Sequence, residues 1–333
     1  MNTHAKTQLG NAGPKVFPIA LGCMAMSGAY GESDDSESIA TIREAIERGI
    51  TLIDTGDFYA SGHNELLVRR GIEGLREKIQ ISVKFGAMLG PDGSFVGFDA
   101  RPAAVKNFVT YSLKRLGVDA IDVYRPARLD PTVPIEDTIG AIADLVKAGY
   151  VRNIGLSEVG VETIARAAKV HPISDLQIEY SVISREPEHT IFPALTSLGI
   201  SATLYGVLSR GLLTGSKVGG KGDHRVHMPR FSGEAGAQNA AAIARFHTFA
   251  ADHQMTPAQL AVAWVLAKQP GFVPVIGART RKQLLDILQV LERPLSQEDV
   301  TAIEALLPKD AISGTRYPAA LMKQLDSERS NVR

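Results

Sequence analysis

Three residues with complementary acid–base chemistry stand in the first third of the chain. Asp54 and Tyr59 follow the predicted strand 50–53, and Lys84 ends the predicted strand 79–84. An isolated tyrosine has a pKa of about 10 and is a weak acid at neutral pH. A neighbouring ammonium favours the phenolate and lowers that pKa, while a carboxylate holds the ammonium in place. If the fold brings the three together, we expect Tyr59 to act as a general acid that protonates a carbonyl oxygen.

A repeated unit of amphipathic helix, glycine and β-branched strand positions these residues. Helices are predicted over 38–48, 102–116 and 135–146, and the second of them begins at Pro102 and ends before Gly117. The eight predicted strands are Ile19–Leu21, Ile50–Ile53, Ile79–Lys84, Ile121–Tyr124, Val151–Ile154, Asp175–Glu179, Ile200–Tyr205 and Phe272–Ile276. Because eight strands alternate with helices, we expect an α/β fold, a closed (β/α)8 TIM barrel that forms a single domain over residues 1–333.

Composition and charge exclude several classes of protein. The 333 residues include 36 Lys+Arg and 36 Asp+Glu, so the formal net charge is zero, and 44% are hydrophobic. This balance excludes a disordered chain and provides no polycationic surface for nucleic acid. The single cysteine, Cys23, excludes an intramolecular disulfide. No secretory signal is visible and the most apolar window, 258–267, is too short to span a membrane, so we expect a cytoplasmic protein without nucleic-acid or membrane partners.

Two segments lie outside the regular pattern. Residues 206–239 are rich in Gly, Lys and Arg, and a long loop in a compact domain is usually functional, so we expect a lid or a cofactor-clasping loop there. The polar C-terminal tail, 308–333, either lies across the barrel mouth or stays mobile. In such barrels the chemistry lies at the C-terminal ends of the strands. None of these ends carries His and Asp at the spacing of metal ligands, so no metal site is predicted.

The strand-end motifs resemble those of the aldo-keto reductase superfamily, in the same order. They occupy residues 53–59, 62–65, 81–84, 112–119, 155–158, 177–180 and 256–261. The resemblance extends from about Phe17 to Glu304 and is greatest to the branch with bacterial pyridoxal reductases and aryl-alcohol dehydrogenase-like enzymes. It implies an oxidoreductase that reduces an aldehyde or ketone to the alcohol, reversibly, by hydride transfer from NADPH.

The resemblance assigns a catalytic tetrad, and the strand ends around it indicate a substrate pocket. Asp54, Tyr59 and Lys84 match three members of the tetrad, whereas Ala127 stands where the family usually has a histidine. The residues expected in the substrate pocket are Met24, Arg125, Ala127 and Arg128. Because neighbouring residues of a strand point to opposite sides, we expect the Arg128 side chain to point away from that of Ala127 and not to replace the histidine.

The resemblance also assigns a site for the nicotinamide cofactor. The residues expected at the nicotinamide are Ser157, Glu158, Gln177 and Tyr205, of which the first three hold the carboxamide and the last stacks on the ring. The residues expected at the pyrophosphate are Gly206, Leu208, Arg210, Gly211 and Lys217. The residues expected at the adenosine end are Gly277, Arg279, Gln283 and Asp286, and Arg279 can bind a 2′-phosphate in a bidentate manner. Ile287 stands where the family usually has Asn, so we expect some use of NADH beside NADPH.

Three functions are compatible with these motifs to different degrees. The Asp-Tyr-Lys set favours an NADPH-dependent carbonyl reductase. The replacement at Ala127 favours a catalytically feeble redox sensor or regulatory subunit that binds NADP(H), as in the reductase-fold β subunits of potassium channels. A metal-dependent barrel hydrolase is disfavoured because the strand ends carry no ligand cluster. Bulky or alicyclic ketones, aryl aldehydes and pyridoxal remain open as substrates, as do the direction of the reaction and the oligomeric state.

Overall fold

Eight parallel strands close into a barrel in the computed structural model, which describes residues 4–219 and 222–329. Each strand pairs with the next along the chain, and the last pairs with the first. The strands are β1 (Ala20–Gly22), β2 (Leu52–Gly56), β3 (Gln80–Phe85), β4 (Ile121–Pro126), β5 (Val151–Ser157), β6 (Ile173–Glu179), β7 (Ser201–Tyr205) and β8 (Val273–Gly277). The predicted single-domain (β/α)8 barrel is confirmed.

The bounds of the strands differ from the prediction by up to three residues, most clearly in β2 and β5. β2 begins at Leu52 rather than Ile50, because the Ile50 amide donates to the Ala45 carbonyl and closes the preceding helix. β5 continues to Ser157 rather than ending at Ile154, and Ser157 pairs in register with Gln177 of β6. Two polar residues therefore stand side by side at the C-terminal end of the barrel.

Helices follow the strands and cover the outside of the barrel. They are α1 (Asp35–Glu47), α2 (His63–Gly71), α3 (Pro102–Leu116), α4 (Ile135–Lys147), α5 (Val161–Val170), α6 (Ile191–Leu198), α7 (Gly233–Asp252), α8 (Pro257–Lys268), α9 (Arg281–Leu288), α10 (Gln297–Leu306), α11 (Ala319–Met322) and α12 (Asp326–Arg329). The three predicted helices correspond to α1, α3 and α4. Gly117 ends α3 in a left-handed conformation (φ 66°), which glycine adopts without steric cost.

The predicted loop 206–239 is shorter in the structure than in the prediction. Its first part consists of irregular chain and short 3₁₀ turns, but α7 begins at Gly233 and includes the last seven residues. The buried stripe of α7, which includes Ile243, Phe246 and Ala250, lies after the predicted loop, so the polar first turns gave no helical periodicity. Residues 220 and 221 of this loop, and residues 330–333 of the predicted tail, lie outside the described residues.

The two ends of the barrel differ in polarity. At the N-terminal end, a small antiparallel hairpin formed by Thr7–Gln8 and Lys15–Val16 contributes Leu9 to an apolar cluster with residues of β1, β2 and β8. Polar side chains are buried inside the barrel near its C-terminal end, where they approach the strand-end residues. No helix in residues 4–219 and 222–329 is long and apolar enough to cross a membrane.

Candidate active site

Asp54 and Lys84 form a buried ion pair on adjacent strands. The Lys84 Nζ bonds to Asp54 Oδ1, and both side chains are nearly inaccessible to solvent. Asp54 Oδ2 accepts hydrogen bonds from Ser82 Oγ and Gln177 Nε2, each at 2.8 Å. A buried charge that is paired and hydrogen-bonded in this way keeps a fixed position. The Asp54 and Lys84 side chains therefore hold fixed positions at the C-terminal end of the barrel.

Tyr59 lies directly beside this pair. It follows β2 in a short 3₁₀ turn, and the Lys84 Nζ is 5.1 Å from the centroid of its ring. The ring lies so close to Gly56 that a Cβ there would be only 3.1 Å from it. Ala60 and Ser61, next in the chain, are left-handed (φ 45° and 52°), a strained conformation that is common at functional sites. The three predicted catalytic residues thus meet in one place.

The electrostatics of Tyr59 differ from the expectation. Burial raises the pKa of Tyr59 well above its ordinary value, and the negative charge of Asp54 raises it further. Burial also lowers the pKa of Lys84, although Asp54 opposes this change. The predicted lowering of the tyrosine pKa is therefore wrong, because burial and the negative charge of Asp54 raise it instead. Tyr59 keeps its proton at neutral pH, which suits a proton donor.

Arg125 lies inside the barrel and not in the cavity at its mouth. Its guanidinium is inaccessible to solvent and donates to both oxygens of Asp175, at 2.9 and 3.1 Å. It also donates to Ser82 Oγ at 3.1 Å, and Ser82 in turn donates to Asp54. The expected place of Arg125 in the substrate pocket is wrong, because the side chain reaches across the interior to the carboxylate that neutralises it.

A cavity of about 780 Å³ opens at the C-terminal end of the barrel. Seventeen of the twenty residues that the sequence assigned to the site line it, and the three that do not are Arg125, Glu158 and Lys217. The volume is within the range of small-molecule sites. Among the described residues, no group of three His, Cys, Asp or Glu side chains lies close enough to hold a metal ion.

Ala127 and Arg128 both line this cavity. β4 ends at Pro126, and the chain bends at the next two residues. The Arg128 side chain folds back so that its Nη1 donates to the Ala127 carbonyl at 2.6 Å and to Ser157 Oγ at 3.4 Å. The prediction that Arg128 points away from Ala127 is wrong, because the alternation of a strand does not extend past Pro126.

Comparisons with known proteins identify the family of a chain with this barrel and this site. The model of the aldo/keto reductase family matches residues 18–308. The probable aldo-keto reductase 1 of Glycine max is 39% identical over 318 residues, which cover 93% of this chain and 91% of that protein. The chain belongs to the aldo/keto reductase family. This aldo-keto reductase is accordingly an oxidoreductase.

Solved structures of the family resemble this aldo-keto reductase over most of its length. The glycerol dehydrogenase AKR11B4 from Gluconobacter oxydans matches with a TM-score of 0.83 and 28% identity, over 94% of this chain and 99% of that one. The aldo-keto reductase AKR11C1 from Bacillus halodurans, in a holo form, matches with a TM-score of 0.77 and 26% identity, over 92% and 97% of the two chains.

The cavity of this aldo-keto reductase fits a nicotinamide dinucleotide. It extends from Tyr59 to the beginning of α9, where Thr280 Oγ1 accepts from the Gln283 amide at 3.2 Å and caps the helix. Arg279 also lines this end, and a guanidinium beside a helix N-terminus favours phosphate. At the other end, Ser157 and Gln177 supply polar groups for an amide.

The loop between these two ends has a strained backbone. Gly206 has φ 71°, and a Cβ there would be 2.9 Å from the Glu179 side chain, so only glycine fits without a shift. Ser209 and Arg210 are left-handed as well (φ 48° and 56°). A loop held in this way can bring its backbone close to a phosphate. The Arg210 guanidinium itself is paired with Glu179, at 2.7 Å.

Glu158 has partners other than the expected carboxamide. Its two carboxylate oxygens accept from the Arg316 guanidinium at 2.9 and 2.6 Å, and Ser327 and Tyr205 donate to it at 2.7 Å each. Although burial opposes ionisation, Arg316 holds the pKa of Glu158 well below its usual range. The carboxylate therefore anchors the C-terminal tail. Lys217 is exposed, and its carbonyl accepts from the Arg225 guanidinium at 2.8 Å.

Sequence reasoning missed one wall of the cavity and left the position of another open. A hairpin of Ala87–Leu89 and Phe95–Phe98 follows β3 and places an apolar face on the cavity, and the same strand-end rule that found Lys84 could have indicated it. The second wall belongs to the tail, through Tyr317, Leu321 and Leu325. The described part of the tail therefore lies across the mouth, which is one of the two positions expected for it.

Proposed function

We propose that this chain reduces an aldehyde or ketone to the alcohol with NADPH, with Tyr59 as the proton donor. The observation that carries the proposal is the contact of Lys84 with both Asp54 and the Tyr59 ring in one buried corner of the cavity. The bound cofactor would supply the hydride to the carbonyl carbon. Tyr59 holds the proton for the carbonyl oxygen, and its raised pKa keeps that proton in place until the oxygen becomes basic.

The surrounding residues orient the donor and limit the access of water. Asp54 fixes Lys84, and Lys84 fixes the face of the Tyr59 ring that it contacts. Ser157 and Gln177 would hold the carboxamide of the cofactor, and Arg279 would hold its 2′-phosphate. Phe58, Phe95 and Phe98 give the substrate side of the cavity an apolar wall. This lining favours carbonyl compounds with an apolar body.

A panel of carbonyl compounds tests this proposal directly. Benzaldehyde, cyclohexanone and pyridoxal are each offered with NADPH and with NADH, and the loss of nicotinamide absorbance is followed. The alcohols with the oxidised cofactors test the reverse direction. Turnover with at least one carbonyl compound, faster with NADPH than with NADH, is expected. The absence of turnover with every compound and both cofactors would contradict it.

A second function, a feeble redox sensor, is favoured by Ala127 alone. A methyl group donates no hydrogen bond, so the substrate oxygen lacks the donor that the family usually has at that position. A sensor of this kind would bind NADPH tightly and turn over none of the panel. Fluorescence titration of NADPH beside the turnover assay separates the two functions, because an enzyme and a sensor bind the cofactor alike and differ only in turnover.

A further inference from the structure

The methyl group of Ala127 leaves one side of the reacting position without a donor of its own. Ala127 is almost fully buried and lines the cavity together with Tyr59 and Lys84. A carbonyl oxygen that gains charge during reduction is stabilised most by donors fixed in advance around it. Tyr59 is one such donor, and a second has to come from another side chain.

Arg128 is placed to supply that second donor. Its guanidinium is held between the ends of β4 and β5 and the tail, by the Ala127 carbonyl, by Ser157 Oγ and by the Tyr317 hydroxyl at 3.4 Å from Nη2. A guanidinium has five N–H groups, and these contacts engage three of them. The remaining donors, Nε–H and one N–H of Nη2, have no acceptor among the described residues. The Arg128 guanidinium is thus held in place and still has two N–H donors available.

The charge of Arg128 has no carboxylate partner among residues 4–219 and 222–329. Glu158 is the carboxylate that acts on it electrostatically, but both Glu158 oxygens are bonded to Arg316. Tyr205 and Tyr317 connect the two groups, since Tyr205 donates to Glu158 and lies 3.0 Å from the Tyr317 hydroxyl. Although burial opposes the charge, Tyr205, Tyr317 and Glu158 raise the pKa of Arg128, so the guanidinium stays charged and carries its N–H donors at the cavity.

Arg128 also acts on the proton donor itself. Among the groups with the greatest effect on Tyr59, burial and Asp54 raise its pKa, and Arg128 is the one that lowers it. It lowers the pKa of Lys84 as well, after burial and alongside Arg125. The positive charge of Arg128 therefore affects both Tyr59 and Lys84, where the proton is transferred.

We propose that the Arg128 guanidinium donates a hydrogen bond to the carbonyl oxygen of the substrate, beside Tyr59, and so takes the place of the absent histidine. The inference rests on the proposed function. In the reaction the proton of Tyr59 passes to the oxygen, while Arg128 keeps its own protons and stabilises the charge that develops there.

Kinetics of Arg128→Met and Arg128→Lys with benzaldehyde test the inference. Benzaldehyde is neutral and has no second polar group, so only its carbonyl oxygen can contact Arg128. We expect Arg128→Met to lower kcat by about 10²-fold or more, as the loss of one preformed donor does. Arg128→Lys, which keeps the charge without the planar fork, should lose less. The affinity for NADPH, measured by fluorescence titration, should change by less than about threefold, and the exposed Arg101→Met is the matched control.

Two further readouts separate catalysis from a structural role. The pH above which kcat falls should rise in Arg128→Met, because a cation that lowers the Tyr59 pKa is lost. Ala127→His combined with Arg128→Met should recover part of the lost kcat, because the imidazole restores a donor.

A kcat of Arg128→Met near that of the wild type would overturn the inference and leave the proposed function standing. So would a loss seen only as a higher KM for phenylglyoxylate, which would make Arg128 a site for a substrate carboxylate. A wild type without carbonyl-dependent turnover would overturn both this inference and the proposed function.

Discussion

Gln177 reaches across the barrel and donates a hydrogen bond to Asp54: the Gln177 Nε2 on β6 lies 2.8 Å from the Asp54 Oδ2 on β2. The bond fixes which end of the Gln177 amide faces the ion pair. The Gln177 Oε1 accepts no hydrogen bond from the described residues, so it is available to the amide of a bound cofactor. One side chain can therefore hold the Asp54 carboxylate and, in the proposed function, the carboxamide of the cofactor.

Replacing Gln177 should affect both of these contacts. A hydrogen bond to a charged group contributes about 1.5–3 kcal/mol, so Gln177→Met should lower the free energy of unfolding by roughly that amount. The loss of a neutral hydrogen bond to the carboxamide should weaken NADPH binding by about twofold to tenfold. Urea denaturation and fluorescence titration measure the two effects. The control is Gln80→Met, at the start of β3, which should leave NADPH binding unchanged. An equal loss of NADPH affinity in Gln80→Met would contradict the assignment of Gln177 to the carboxamide.

Tyr59→Phe should lower kcat by at least about 10²-fold, because the ring remains and only the proton donor is lost. The affinity for NADPH should barely change. Since burial raises the Tyr59 pKa, the wild-type rate of reduction should stay level up to about pH 9. Turnover assays of the variant and a pH profile of the wild type measure these effects. Tyr111→Phe, an exposed tyrosine, is the control, and near-wild-type turnover of Tyr59→Phe would exclude it as the donor.

Arg279→Ala should weaken the binding of NADPH and spare that of NADH. The Arg279 Nη1 already donates to the carbonyls of Tyr30 and Glu32, at 3.3 and 3.1 Å, which holds the guanidinium at the adenosine end of the cavity. A charge-assisted hydrogen bond to the 2′-phosphate contributes about 1.5–3 kcal/mol, and NADH lacks this phosphate.

The neighbouring Arg281 provides the control for this experiment. Its guanidinium is paired with Glu37 at 2.9 Å, so Arg281→Ala should change the affinity for the two cofactors equally. Titration of both variants with both cofactors decides the assignment. Equal losses of NADPH and NADH affinity in Arg279→Ala would show that Arg279 does not select the phosphate.

Asp57, two residues before Tyr59, should make the protein less stable as the pH rises. Burial raises its pKa to about 7, and the charge of Glu65 adds to this effect. A carboxyl with a higher pKa in the folded protein than in the unfolded chain destabilises the fold as it ionises. The free energy of unfolding should therefore fall between about pH 4 and pH 7 and then level off.

Asp57→Asn removes this ionisation. Relative to the wild type, it should gain up to about 3 kcal/mol more stability at pH 8 than at pH 5. Denaturation curves at the two pH values measure the difference, with the exposed Asp119→Asn as the control. A constant difference between variant and wild type would mean that Asp57 does not titrate in this range.

The barrel and most of the cavity could be predicted because both follow from local order along the chain. The repeated unit of amphipathic helix, glycine and β-branched strand indicates where the strands lie. Because the C-terminal ends of these strands meet at one end of the barrel, residues as distant as Asp54 and Arg279 are expected in one cavity. The rule gives the place of a residue and not the partner of its side chain. Arg125 stands at a strand end as expected, yet its charge is neutralised by Asp175, 50 residues away.

An ion pair between distant residues also explains why the sequence left two positions open for the tail. Glu158 and Arg316 are 158 residues apart, and nothing in either segment indicates the other. Their ion pair brings the tail, including Tyr317, over the cavity. The direction of the Arg128 side chain was predicted from the alternation of a strand, but the chain bends at residues 127 and 128, directly after β4 ends at Pro126.

Ala127→His should change the preference of the enzyme for substrates of different size. The imidazole would fill space that the methyl group leaves open beside Arg128 and Tyr59, so a wide ketone such as cyclohexanone should lose activity. A small aldehyde still fits and gains a donor for its oxygen, so its kcat/KM should stay the same or rise. The ratio of kcat/KM for propanal to that for cyclohexanone should therefore increase by about tenfold, the effect of roughly 1.4 kcal/mol in relative transition-state binding. Ala127→Val, which fills space without adding a donor, separates the two causes: it should reduce cyclohexanone turnover without improving that of propanal. If both substrates respond alike to Ala127→His, the open space at Ala127 does not determine specificity.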